Sequence, residues 1–189
     1  MKKNFVFAAA VAMLAMAFTV SAQKVPADFS GKWNLDLAKS KLTDREKTTI
    51  ESQTLTVTQT AADIKIETAT KRIAPPAGAP AGGPPGGGGG GMGRGGGMGG
   101  DAPATYALGK ETTTEQQMGP NTVPVTMSSK WDGSKLVLTR SSTFNGPNGE
   151  VKNTSKETWE LGADGKTLTV NRESTGMQGT TSTRVYSKG

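Results

Sequence analysis

The chain has 189 residues, no cysteine, no histidine and a formal net charge of +6, with Lys2 and Lys3 among its cations. Those absences exclude a disulfide framework, a Cys/His zinc site, a Ser-His or Cys-His nucleophile and a histidine pH switch. The mild positive balance suits solubility or weak attraction to anionic surfaces, not a dedicated nucleic-acid site.

Residues 1–22, MKKNFVFAAAVAMLAMAFTVSA, join a basic start to an apolar run from Phe5 to Val20 and end in small residues. This is the pattern of a secretory signal peptide, with cleavage expected after Ala22. An uncleaved anchor is the alternative, but the run is near the short end of the ~17–25 residues that a span requires. No cysteine follows it to carry a lipid. The mature chain, 23–189, is therefore expected to be an exported single domain, periplasmic or extracellular, without a transmembrane anchor.

Beyond the leader, apolar residues alternate, the pattern of half-buried strands. Trp33, Leu35 and Leu37 share one face of GKWNLDL, and Leu55 and Val57 share one of QTLTVTQ. Between these two segments, Thr43 and Glu46 have the spacing of a capping box and predict a short helix. Ile64 and Ile66 then mark a third strand, and Tyr106 with Leu108 a fourth. Five more follow: Val123 to Trp131; Leu136 to Phe144; Val151 to Leu161; the strand of Leu168 and Val170; and the final TSTRVYSK. Asp132-Gly133, Asn145 to Gly149 and Asp164-Gly165 supply hairpin turns, because such residues accept positive φ. About eight or nine hairpin-linked strands predict an all-β antiparallel barrel or sandwich.

Between the third and fourth strands lies a Pro/Gly/Ala-rich segment, 74–103, which includes GGPPGGGGGGMGRGGGMGG. Its glycines lose much entropy on ordering and offer nothing to bury, so it reads as a disordered loop insertion. The three strands before it are too few to close a core, which argues against a linker between two domains. Arg94 stands alone with no aromatic neighbour for stacking on nucleic acid, and Met92 and Met98 are too few for a soft-metal site.

Period two makes a prediction about charge. If Leu136 and Leu138 face inward, so does Arg140; Trp159 and Leu161 carry Glu157 with them, and Leu168 and Val170 carry Arg172. The short turn at Asp164-Gly165 sets Leu161 opposite Leu168, Trp159 opposite Val170 and Glu157 opposite Arg172, with Arg140 diagonal to Glu157. Either these charges sit at a wet rim, or they line a cavity that would suit an anion.

The segments FSGKWNLDLAKSKL, KWDGSKLVLTR and ETWELGADGKTLTVNRES resemble those of uncharacterised bacterial exported proteins with lipocalin-like barrels. Gly31-Lys32-Trp33 resembles the lipocalin G-x-W signature, and Arg184-Val185-Tyr186 the R-x-Y triplet with which fatty-acid-binding barrels hold a ligand carboxylate. The resemblance implies an up-and-down barrel with Arg184 packed across Trp33. One short helix stands where fatty-acid-binding barrels carry a two-helix lid.

These readings converge on a monomeric, non-catalytic binding protein for a small, mostly apolar ligand, which can bear a carboxylate, with no cofactor, metal or nucleic-acid partner. Trp33, Tyr106, Trp131 and Trp159 would form apolar walls, and Arg140, Glu157, Arg172, Arg184 and Tyr186 the polar contacts. The rival reading is a cell-envelope interaction module with a filled core, which contacts a protein or polysaccharide through the Gly-rich loop or a sheet edge. No G-x-S-x-G, carboxylate pair with a shared site or metal cluster supports an enzyme.

Overall fold

The alternating segments form one continuous sheet in the computed structural model, which describes residues 26–74, 101–118, 121–146, 149–175 and 179–189. In chain order the elements are β1 Gly31–Leu35, α1 Asp44–Thr49, β2 Ile50–Gln59, β3 Asp63–Arg72, β4 Ala104–Ala107 and β5 Glu111–Met118. Then come β6 Asn121–Asp132, β7 Lys135–Gly146, β8 Gly149–Leu161, β9 Thr167–Thr175 and β10 Thr180–Lys188. The expected leader, 1–22, lies outside the described residues. So does the Gly-rich segment apart from its ends, which fall after β3 and before β4.

Strands pair antiparallel in the order β4-β3-β2-β1-β10-β9-β8-β7-β6-β5. Because β1 also pairs with β10, the sheet curls round, and its two free edges, β4 and β5, are consecutive in sequence. The result is an up-and-down barrel closed except at one seam. There the Ser129 hydroxyl of β6 donates to the Ala107 carbonyl of β4 (2.8 Å) and accepts from the Gly109 N–H (3.1 Å). One side chain thus joins two strands that no ladder connects.

The ten strands exceed the eight or nine expected, and the additional one is β5, ETTTEQQM. Hydrophobic alternation could not reveal it, since its described positions carry threonine, glutamate and glutamine; threonine favours strands through its branched Cβ rather than through burial. The first strand is shorter than predicted. It stops at Leu35, and Leu37 is 43% exposed. Asp36 turns the chain there: its carboxylate accepts from the Lys39 N–H (3.1 Å) and its carbonyl from the Ser40 hydroxyl (2.6 Å).

The predicted helix is α1, and its capping box is complete. The Thr43 hydroxyl accepts from the Glu46 N–H, and the Glu46 carboxylate accepts from the Thr43 N–H. Two tight turns set the registers, the second as read from the sequence. Trp131 faces Leu136 across Gly133 (φ +62°), and Leu161 faces Leu168 across Gly165 (φ +63°).

One end of the barrel is plugged by the segment before β1. Phe29 is fully buried, stacked on Trp131 (centroids 6.1 Å apart) and edge-on to Trp159 (5.8 Å). Its carbonyl accepts from the Trp33 indole N–H (2.8 Å). Ile64, Leu136, Leu138, Leu168 and Tyr186 complete this core, and each large side chain so buried contributes about 1.5–3 kcal/mol.

Candidate functional site

Moving along the inner faces away from Phe29, side chains change from apolar to charged at a common height. Leu138 gives way to Arg140 on β7, Trp159 to Glu157 on β8, Val170 to Arg172 on β9 and Tyr186 to Arg184 on β10. The registers bring these four together. Glu157 pairs with Arg172, Leu138 with Glu157 and Val170 with Arg184, so Arg140 lies diagonal to Glu157. All four line a cavity of about 70 Å³ with Tyr106, Trp159 and Tyr186 among its walls.

Each charge has its own surroundings. Glu157 Oε1 lies 3.8 Å from Arg172 Nε, and Oε2 accepts from the Trp159 indole N–H (3.0 Å). Arg172 Nε also donates to the Ser155 hydroxyl (3.2 Å). Arg184 forms an ion pair with Glu46 of α1 and donates through Nη1 to Gln53 Oε1 (3.4 Å). The same Gln53 oxygen accepts from the Tyr186 hydroxyl (2.8 Å), while the Gln53 amide donates to Thr70 Oγ1 (2.9 Å). Arg140 is held differently: its Nη2 donates to the Gln116 side-chain carbonyl of β5, and its buried Nε has no hydrogen-bond partner among the described residues. Arg184 Nε is likewise buried without one.

Burial pushes the phenols of Tyr106 and Tyr186 up to about 12, so both are neutral near pH 7. The charges of Glu157, Arg140 and Arg172 all act on Tyr106, which places that phenol beside the cluster. For Glu46, burial works to raise the carboxyl, but hydrogen bonds from Arg184 and Thr43 outweigh it and hold the group below its ordinary value. Three guanidinium groups therefore meet two carboxylates, Glu157 and Glu46. Counted over these five described residues alone, one positive charge is in excess.

Of the residues singled out from the sequence, Tyr106, Arg140, Glu157, Trp159, Arg172, Arg184 and Tyr186 line the cavity. Trp33 and Trp131 do not. Trp33 is fully buried under the Phe29 carbonyl, and Trp131 borders a shallow groove of about 500 Å³ at the opposite end, with Pro26, Thr60 and Leu108. The expected packing of Arg184 across Trp33 is also corrected. In the β1–β10 register Trp33 faces Lys188, whose Nζ sits 5.2 Å from the indole centroid, and Arg184 falls beyond the end of β1.

The sequence reading missed Glu46, Gln53 and Gln116 as partners of the arginines. Gln53 was within reach, because it continues the inward period of Val57 and Leu55. Glu46 had been found as a capping residue, but its second oxygen and its bond to Arg184 depend on how α1 docks. Among the described residues no group of three or more Asp or Glu side chains converges to hold a metal. No helix among them is long and apolar enough to cross a membrane.

No family model matches the chain, and no curated protein matches it. Among solved structures it is similar to secretory abundant heat soluble protein 4 from Ramazzottius varieornatus, at 14% sequence identity. That similarity covers 85% of this chain and 94% of the other, with a TM-score of 0.43.

Proposed function

We propose that this protein is an exported, non-catalytic binding protein that takes a small carboxylate-bearing ligand at the arginine layer of its barrel. The observation that carries the reading is a cavity lined by Arg140, Arg172 and Arg184 and walled by Tyr106, Trp159 and Tyr186, with one cation in excess. Buried charge without full compensation is costly, and an arginine fork meets a carboxylate with two parallel hydrogen bonds. At about 70 Å³ the cavity is smaller than the ~300–1,000 Å³ of a site that encloses a drug-sized molecule. A larger amphipathic ligand would therefore enter by its head alone.

The filled floor favours a second reading, an envelope interaction module that works through its surface. Native mass spectrometry separates the two, using the mature chain beginning at Gln23 and recovered from an exporting host without lipid stripping. A reproducible adduct, lost in the folded Arg140→Ala/Arg172→Ala double variant, supports the binding protein. A bare mass, together with a cellular phenotype abolished by deleting residues 74–103, supports the interaction module.

A further inference from the structure

We infer that Arg140 is the anion seat of this barrel, that its ligand is a short-chain monocarboxylate, and that the Arg184/Tyr186 pair serves the fold. The inference rests on the binding reading and assigns its ligand class and contact residue.

The R-x-Y triplet nominates Arg184 and Tyr186 as carboxylate holders, yet both are already engaged. Arg184 has the Glu46 carboxylate, and the Tyr186 hydroxyl has Gln53 Oε1. An incoming anion would have to displace Glu46, which also accepts the Thr43 N–H at the start of α1. The chain supplies its own carboxylate to the position where a ligand carboxylate would bind.

Among the described residues Arg140 has no such substitute. Its side-chain partner is the neutral Gln116 carbonyl, and its Nε–H is buried without an acceptor. A guanidinium held by a neutral amide at the cavity wall lacks the compensation that buried charges require. A carboxylate would complete it, one oxygen taking the Nε–H and the other a further N–H of the same planar fork. Tyr106 adds a neutral phenol to the wall on which Arg140 acts.

Charge and volume narrow the class. Among the described residues that meet there, the one positive charge in excess is balanced by a monoanion, whereas a phosphate dianion would leave them net negative. A space of about 70 Å³ holds a few waters, or a carboxylate with about two to four carbons. The apolar floor is occupied by Trp159, Leu138 and Tyr186, so a long chain has nowhere to descend.

The test is a titration of the mature, isotope-labelled chain with sodium butyrate, followed by NMR of the arginine Nε–H signals and by calorimetry. Inorganic phosphate, chloride and laurate are the comparison anions. Butyrate should shift the Arg140 Nε–H signal and leave that of Arg184 in place. Arg140→Met should weaken butyrate by at least about tenfold, as expected for loss of a charge-assisted pair. Gln116→Glu guards against misfolding, because it gives Arg140 an internal carboxylate; it should keep the fold and lose butyrate by a similar factor.

A shift at Arg184 in place of Arg140, phosphate binding more tightly than butyrate, or unchanged affinity in Gln116→Glu would overturn the seat. Laurate binding while butyrate stays silent would overturn the size class and leave the binding reading standing. If no carboxylate binds and the exported chain carries no adduct, both fall together.

Discussion

The two ends of the barrel are built from the same strands and solve the same problem in opposite ways. Around Phe29 the inward positions hold aromatic and aliphatic groups that fill the space and leave few polar atoms to satisfy, such as the Trp33 indole N–H and the Tyr186 hydroxyl. One layer along, the inward positions hold charges that cannot fill space by close packing, because each needs a partner at a set distance. Glu157 and Glu46 neutralise two of the three arginines, and all three border the cavity that remains. The proposed anion seat lies where alternation places groups that packing alone cannot satisfy.

The most severe way to break this comparison is Phe29→Ala. It removes the residue that seals the floor and leaves Trp131 and Trp159 without their shared ring contact. A buried aromatic truncation of this kind costs about 3–5 kcal/mol. Urea unfolding of the mature chain should show that loss as a lower midpoint, with butyrate affinity unchanged in the folded fraction. A cost below about 1 kcal/mol would mean that the floor is not a packed layer.

Glu46→Gln tests the opposite layer. It leaves the largely buried Arg184 without a carboxylate, and weakens the capping box as well. Breaking a fully buried pair costs about 3–5 kcal/mol, and the partial solvent access of Glu46 and Arg184 brings the expectation down to about 2 kcal/mol. The difference should depend on pH in a defined direction. The folded carboxyl lies below its ordinary value of 4.5, so its contribution is complete above that value and disappears as pH falls through the lower folded one. The stability gap between wild type and Glu46→Gln should therefore be widest near neutrality and close in acid. Asp28, Asp36 and Asp164 are also held low, but they are common to both chains and cancel in the comparison.

How far each layer could be read from the sequence follows the same division. The pairing of Glu157 with Arg172 was legible because one tight turn at Gly165 separates their strands, and period two then determines every inward position. Phe29 was not, since a single apolar residue ahead of a strand has no period to betray it. β5 was hidden for the converse reason: its threonines, glutamates and glutamines form a strand with no hydrophobic stripe. The partnership of Glu46 with Arg184 spans 138 positions and depends on the docking of a six-residue helix, which no local pattern encodes. Local rules reached the hairpins, and long-range docking decided which arginine kept an unmatched charge.

The cation over Trp33 gives the finest test of that distinction. The lipocalin resemblance implied the pairing of Arg184 with the indole, but register assigns the place to Lys188. Lys188→Met keeps much of the apolar stem that lies against Gly31 and removes only the charge above the ring. An exposed cation–π contact is worth about 0.5–1 kcal/mol, so the urea midpoint should fall slightly, with no change in the acid limb that Glu46 governs. Arg184→Met should behave differently in both respects. It strips Glu46 of its cation, costs more than the lysine change, and flattens the acid dependence in the same way as Glu46→Gln. Were the two substitutions to produce the same small, pH-independent loss, Arg184 would not be the anchor of α1. The division between a packed floor and an ion-paired layer would then lose its clearest residue.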